Sequence, residues 1–377
     1  MRKILVVLMM LLAFSTQAFA LNVFENDKVK FDIYGQIYLS LAHQTIYGNG
    51  KETNNDFFMS IYPCSVLGTD LKVGNFMAKA EVNYKGDGEN GFGFRKLYGA
   101  YDFGKGGILK IGQDTSILGT GWSTDIYFGW NATIGFGAIN AVRRPMIHYS
   151  VQGFNIALIS NARDLVDFGD GWVKNQTLMP RVEMSYNFPQ VDFPLIIGAG
   201  YTTINQKNAE LNMSQDVHAG TAMFLAYPTF GNVSLFVSAF YSLNGSTFGN
   251  VWSYDGTVAG INSYGYNPSG LLLPKIYSDG SVHNVQTAGT AIELGYNFTP
   301  KIKIAVGGGY QISFSDFYDK TANKDFLNSY AAYILAQFWL NDYFAITPQI
   351  GYYSSDRPDI DQTDSTFIAG AEFRVVF

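Results

Sequence analysis

Four histidines, His43, His148, His218 and His283, are the only imidazoles in the chain, and their spacing limits the chemistry it can carry. No H-x-x-x-H pair and no Cys/His cluster occurs, so the ligand pattern of a zinc site is missing, and neither a metal nor a cofactor is expected. Hydrolysis by a nucleophile needs a Ser–His pair oriented by a third group. His148 and Ser150 share one face of any strand, but such pairs arise often by chance, and no nucleophile elbow or P-loop accompanies them. The chain is not expected to be an enzyme. Acids gather at Asp356, Asp359, Asp361 and Asp364 and again at Asp316 and Asp319. They suit Ca²⁺ or the cations that bridge lipopolysaccharide, or they are plain hydrated loop acids. Trp252, Tyr254, Tyr264 and Tyr266 lie among Gly, Asn and Ser. Such a set serves either as an aromatic track for sugars or as an exposed adhesive surface.

The elements that must position these residues are strands. From Phe367 to Phe377 every second side chain (Phe367, Ala369, Ala371, Phe373, Val375, Phe377) is apolar, while the opposite set includes Glu372 and Arg374. This is a period-two strand with one greasy and one wet face. A long apolar edge invites aggregation in a soluble protein. A closed barrel in a membrane has no such edge, and its outer face must be apolar.

The other end carries Arg2 and Lys3, an apolar run from Ile4 to Phe14, and Ala18-Phe19-Ala20. That order is a signal peptide with an A-x-A cleavage site, so the expected division is a cleaved leader over residues 1–20 and a single barrel domain over 21–377. Without the two leader cations, 25 − 2 = 23 Lys and Arg face 31 Asp and Glu, a net charge of −8 that argues against a nucleic-acid partner. The chain has 40 Gly and 16% aromatic residues, which fits a β-protein with aromatic girdles. The single Cys64 cannot form an internal disulfide and reads as a small packed side chain.

No later apolar run approaches the ~18 residues of a spanning helix. Segments of roughly ten alternating residues recur instead. In the first, Val29, Phe31, Ile33, Ile37, Leu39 and Leu41 alternate with Lys30, Asp32, Tyr34, Gln36, Tyr38 and Ser40. Others fall near 58–71, 75–84, 93–103, 107–114, 143–151, 154–162, 179–188, 194–204, 216–227, 232–243, 285–297, 301–313, 328–339, 343–354 and 365–377, about sixteen in all. Short turns such as 104–107 and 228–231 alternate with long loops such as 43–57, 115–142, 205–215 and 244–284. Short periplasmic turns and long outer loops are the asymmetry of an outer-membrane barrel. Sixteen strands leave an aqueous channel where eight would fill with side chains.

Three passages carry a family resemblance: Phe31-Asp-Ile-Tyr-Gly-Gln-Ile37; Phe94-Arg-Lys-Leu-Tyr-Gly-Ala-Tyr-Asp-Phe-Gly104 followed by Leu109-Lys-Ile-Gly-Gln-Asp114; and Arg144-Pro-Met-Ile-His-Tyr149. With the terminal strand, they resemble the general diffusion porins of Gram-negative bacteria. The resemblance implies a sixteen-stranded transmembrane antiparallel barrel in the outer membrane, a homotrimer surrounded by lipid and lipopolysaccharide. It implies a terminal strand (Phe373, Val375, Phe377) read by the barrel-assembly machinery, and a passive channel for ions and small hydrophilic solutes.

In that family the third loop folds inward, its acids facing basic groups on the wall. The counterpart here, 115–142, carries only Asp125, with Asp114 at its base, and lacks the family's P-E-F-G-G signature. A surface loop is the alternative. For the wall, if Ile111 faces lipid, then Lys110, Gly112 and Asp114 face the lumen; if Ile147, Tyr149 and Val151 face lipid, then Arg144, Met146, His148 and Ser150 face inward. Either Arg95 or Lys96 points inward: Leu97 and Tyr101 as lipid-facing residues select Lys96, the family alignment Arg95. Gln113 and Val66 occupy positions where the family carries Arg. The acidic net charge leans toward cations and the acid-poor third loop against them, so ion preference stays open. A substrate-selective channel, for sugars for example, and a surface adhesin or receptor barrel are the alternative functions.

Overall fold

Alternating apolar and polar side chains place each segment in extended backbone with two unlike faces, and only closure leaves no unpaired edge in lipid. The computed structural model describes residues 21–26, 28–48, 50–62, 65–84, 92–119, 133–139, 142–161, 172–177, 179–208, 212–248, 274–277, 279–315, 326–357 and 362–377. Sixteen antiparallel wall strands close into a barrel. In chain order they are β1 (Val29–Gly48), β2 (Lys51–Ile61, resumed at Val66–Val73), β3 (Phe76–Tyr84), β4 (Phe92–Asp102), β5 (Ile108–Thr115), β6 (Arg143–Val151), β7 (Phe154–Ile159) and β8 (Trp172–Thr177, resumed at Arg181–Asn187). Then follow β9 (Leu195–Asn208), β10 (Met213–Ala226), β11 (Val233–Leu243), β12 (Gln286–Thr299), β13 (Ile302–Phe314), β14 (Phe326–Trp339), β15 (Phe344–Arg357) and β16 (Gln362–Val376).

β1 closes the barrel by pairing with β16 from Gln36↔Val376 to Gly48↔Asp364. Below that pairing, the segment Leu21–Glu25 takes the same edge of β1, with Leu21 opposite Ile33 and Glu25 opposite Lys30. The last residue is locked at the junction: Gly35 N donates to Phe377 O at 2.8 Å and Phe377 N to Gly35 O at 2.9 Å. The Phe377 ring occupies the space that a Cβ on Gly35 would need, which is why this position of the first strand is a glycine.

The greasy face of each strand points outward. Ile111 is 57% exposed, Ile147 50% and the terminal Phe377 44%, while Glu372 on the opposite face of β16 is buried. Across four neighbouring strands Leu294, Val306, Ile334 and Ile350 stand in register as one half-exposed apolar row. No helix among the described residues is long and apolar enough to cross a membrane.

Several stretches expected as loops are strands. β1 runs on to Gly48 and pairs with Lys51–Ile61, so the stretch 43–57 is a hairpin and not a loop. β9 and β10 likewise pair out to Asn208↔Met213, and β15 and β16 to Arg357↔Gln362. Polar residues such as Glu52, Asn54 and Asp56 read as loop because they stand beyond the apolar band, where both faces of a ladder are wet. The segment expected at 58–71 is interrupted between Ile61 and Val66. There Ser65 Oγ accepts from Tyr38 N at 2.9 Å, and Tyr62 N donates to Tyr38 O at 3.1 Å. The leader 1–20, Cys64, Asp125, the four loop aromatics from Trp252 to Tyr266, and Asp316, Asp319, Asp359 and Asp361 lie outside the described residues.

Candidate functional site

The inner faces of β1 to β6 form one continuous charged array. Register sets Lys30 beside Lys72, Asp32 beside Asp70, Asp70 beside Lys79, and Glu81 beside Lys96; Lys110 then stands beside His148, and Asp114 beside Arg144. Ion pairs tie the array together: Lys30–Asp32 at 3.4 Å, Lys79–Asp70 at 3.1 Å, Arg95–Glu81 at 3.3 Å, and Asp114 shared by Lys110 at 2.5 Å and Lys96 at 3.8 Å. Aromatic rings floor it, with Lys79 4.5 Å above the Tyr34 ring and Lys110 4.6 Å above Tyr98. Tyr34 reaches across the bare backbone of Gly68 to donate to Glu81 at 2.9 Å, and a Cβ at Gly68 would displace its ring. Seven cations (Lys30, Lys72, Lys79, Arg95, Lys96, Lys110, Arg144) therefore stand with four carboxylates (Asp32, Asp70, Glu81, Asp114), an excess of three. Asp102 is left out because it caps the turn at the rim, accepting from Gly104 N at 2.7 Å. Beside the array lies a cavity of about 430 Å³ lined by Lys30, Lys72, Lys79, Lys110 and His148 among others.

A β-bulge answers the choice between Arg95 and Lys96. The ladder between β3 and β4 pairs Glu81 with Lys96 and then Val82 with Phe94, so Arg95 is the extra residue. Two consecutive side chains thereby leave on the charged face: Arg95 is 8% exposed on Glu81, and Lys96 reaches Asp114. A strict period of two selects one of them, and a bulge is the standard exception. Gln113 fills the resulting gap in the ladder, its Nε2 donating to Phe94 O at 2.7 Å and Arg95 O at 3.4 Å. Gln113 thus serves the bulge and not the lumen wall, whereas Val66 is buried between Gln36 and Asn83.

The described parts of the third loop lie inside the barrel, and the surface-loop alternative falls. Leu118 is buried with Ala219 and Met223 of β10 and Phe240 of β11. Phe136 packs with Ala42 of β1, Ala331 of β14, Tyr353 of β15 and Ile368 of β16. The near anchor is Glu183 of β8, which is fully buried. It accepts from Ser116 Oγ at 2.8 Å and from the backbone N of Ile117 at 3.1 Å, and it pairs with Arg181 at 2.9 Å. Arg181 in turn donates to Phe248 O at 2.5 Å and lies 4.6 Å from its ring, so the short helix Gly245–Phe248 joins the same knot. The far anchor is a bed of glycines: Gly289 and Gly309 lie under Gly137 and Phe136, and Ser329 Oγ donates to Gly135 O at 2.5 Å.

A Cβ at Gly309 would meet the backbone oxygens of Phe136 and Thr290, neither of which can rotate away. Gly309→Val is expected to lift residues 133–139 off β13 and cost about 1–3 kcal/mol as an overpacked contact. A fluorescent label at position 136 in an otherwise unlabelled barrel would read the change as increased loop mobility; unchanged mobility would refute it.

Of the expected site residues, Arg95, Lys96, Lys110, Asp114, Arg144 and His148 come together on one wall. His148 Nε2 is engaged with Asn155 Oδ1 at 3.2 Å, and Arg144 has no carboxylate partner among the described residues. Asp125 lies outside the described residues. Lys30, Asp32, Asp70, Lys72, Lys79 and Glu81 were missed, although the alternation that marked Lys30 and Asp32 as the wet face of the first strand already held part of the signal. Arg181 and Glu183 alternate with Val182 and Met184 and so fall on the wet face of their strand, but their bonds to Ser116, Ile117 and Phe248 left no sequence sign, because those partners lie in distant loops. At the rim, Ser281 Oγ donates to Asp279 at 2.7 Å and lies 3.2 Å from His283 Nε2. With a second bond from Ser281 N at 2.8 Å, these hold the Asp279 carboxyl below its usual range and close a turn.

No family model and no curated protein sequence matches this chain. Solved structures do. The outer membrane channel DcaP of Acinetobacter baumannii superposes with a TM-score of 0.69 at 14% identity, over 95% of this chain and 100% of that one. OmpT, an outer membrane protein of Vibrio cholerae, gives 0.55 at 14% identity over 95% and 100%, and OprB of Pseudomonas putida gives 0.55 at 12% identity over 92% and 94%. At these identities the likeness is one of fold: the chain shares the barrel of outer-membrane channels and porins.

Proposed function

We propose that this chain is a porin of a Gram-negative outer membrane, a water-filled channel for passive diffusion of ions and small hydrophilic solutes, and not an enzyme. The observation that carries the reading is the contrast between the two faces of one closed wall. The outer face is an apolar band suited to lipid, while the inner face of β1 to β6 holds eleven charges that need water. Opposed charges in a wet, narrow lumen stay hydrated, so they are tolerated there as they would not be in a dry core. They create a field that orients dipolar solutes and hinders apolar ones.

In this reading Arg95, Lys96, Lys110, Asp114, Arg144 and His148 line the pore, and residues 133–139 narrow it from the far side. The mature chain begins at Leu21, and Phe373, Val375 and Phe377 present the terminal strand to the assembly machinery. The assembly is a homotrimer in lipid and lipopolysaccharide. Purified protein in a planar bilayer is the test. Large, near-ohmic current steps that close in threes support the reading. Small currents blocked by one solute would instead favour a substrate-selective channel, and no current at all a receptor or adhesin.

A further inference from the structure

We propose that the channel selects anions, with the cavity beside β1 to β6 as the place where a small carboxylate- or phosphate-bearing solute is held. The proposal rests on the channel reading above and adds the sign of the charge it passes. It runs against composition: the whole chain carries −6, yet the array on the inner wall carries an excess of three positive charges.

The distribution of partners matters more than the total. Every carboxylate of the array is already engaged: Asp32 by Lys30, Asp70 by Lys79, Glu81 by Arg95, and Asp114 by two lysines at once. The cations are not all engaged in return. Lys72 is exposed beside the cavity, and neither it nor Arg144 has a carboxylate partner among the described residues. A passing cation meets acids that are already neutralised, while a passing anion meets ammonium and guanidinium groups with donors to spare. Around the cavity itself Lys30, Lys72, Lys79 and Lys110 stand with Asp32 and Asp70, four positive charges to two negative. Low-dielectric walls focus such an imbalance along a cleft, and it reaches about 8 Å into physiological salt. A volume of about 430 Å³ lies within the range of small-molecule sites, roughly 300–1,000 Å³, so organic as well as inorganic anions fit. The inward parts of the third loop, residues 116–119 and 133–139, contain no charged residue to offset the wall.

The test is the reversal potential of the intact barrel in a bilayer under a potassium chloride gradient. Wild type is expected to favour chloride over potassium. Lys72→Glu, at an exposed position that no ion pair depends on, should shift the reversal potential toward potassium. The double variant Lys72→Glu/Arg144→Glu leaves five cations against six carboxylates and should invert the preference. Inorganic phosphate added on one side should lower the chloride current of wild type more than that of Lys72→Glu. A wild-type channel that conducts and favours potassium overturns the proposal while leaving the porin reading intact. A chloride preference untouched by Lys72→Glu overturns its assignment to this wall. A protein that passes no current overturns the porin reading and this proposal together.

Discussion

Glu183→Ala is expected to leave the barrel closed while releasing the third loop from its near anchor. Glu183 is fully buried and receives Ser116 Oγ, the backbone N of Ile117 and the ion pair from Arg181. Removing one member of a buried ion pair strands its partner as an uncompensated charge, at a cost of about 3–5 kcal/mol. Arg181 would keep Phe248, through its carbonyl and its ring, but lose the carboxylate beside it. The wall ladders around β8 are backbone bonds to β7 and β9 and do not depend on this carboxylate. Urea unfolding of the refolded barrel should therefore show the loss in stability, and single-channel records should show larger, noisier currents as residues 116–119 leave the lumen. The double variant Arg181→Met/Glu183→Leu removes both charges, so the destabilisation should fall to the loss of loop hydrogen bonds, about 1–3 kcal/mol. Equal losses in single and double variants would show that the buried charge is not the source.

Ile334→Arg has the second largest expected effect, and its cause lies on the other face of the wall. Ile334 is 52% exposed at the centre of the row formed with Leu294, Val306 and Ile350. An arginine facing lipid near the bilayer midplane costs about 2–4 kcal/mol in a barrel of this kind. Lys72→Gln alters a wet, exposed position and is expected to change stability by less than about 0.5 kcal/mol. Folding into lipid vesicles, read as the fraction that resists unfolding on an unheated gel, separates the two variants. An Ile334→Arg protein as stable as wild type would mean that this row does not face lipid.

Much of this was legible in the chain because it is encoded locally. A strand face is decided residue by residue, so Ile111 and Ile147 could be set outward, and Lys110, Asp114, Arg144 and His148 inward, from alternation alone. The positions of all sixteen wall strands followed from the same period and from the turn residues between them. Strand ends were less legible. Beyond the lipid band both faces of a hairpin meet water, so residues 51–57 and the outer ends of β9 and β10 read as loops.

What the tertiary structure alone decided depends on partners distant in sequence. The bulge that turns Arg95 and Lys96 to the same side is a mismatch between β3 and β4, completed by Gln113 of β5; no single strand contains it. The inward course of the third loop depends on Glu183, 67 residues from Ser116, and on the glycines of β12 and β13, the farther of which, Gly309, is 309 − 136 = 173 residues from Phe136, so no local pattern reveals the contacts. The excess of positive charge likewise emerges only when six strands are laid side by side, because each contributes only one or two charges to the array. The sequence by itself determined that this chain forms a barrel and which face of each strand is wet, since a period of two acts on every residue. Where the lumen narrows and which sign of charge it presents were decided by the folded barrel, because those properties belong to side chains that meet only after closure.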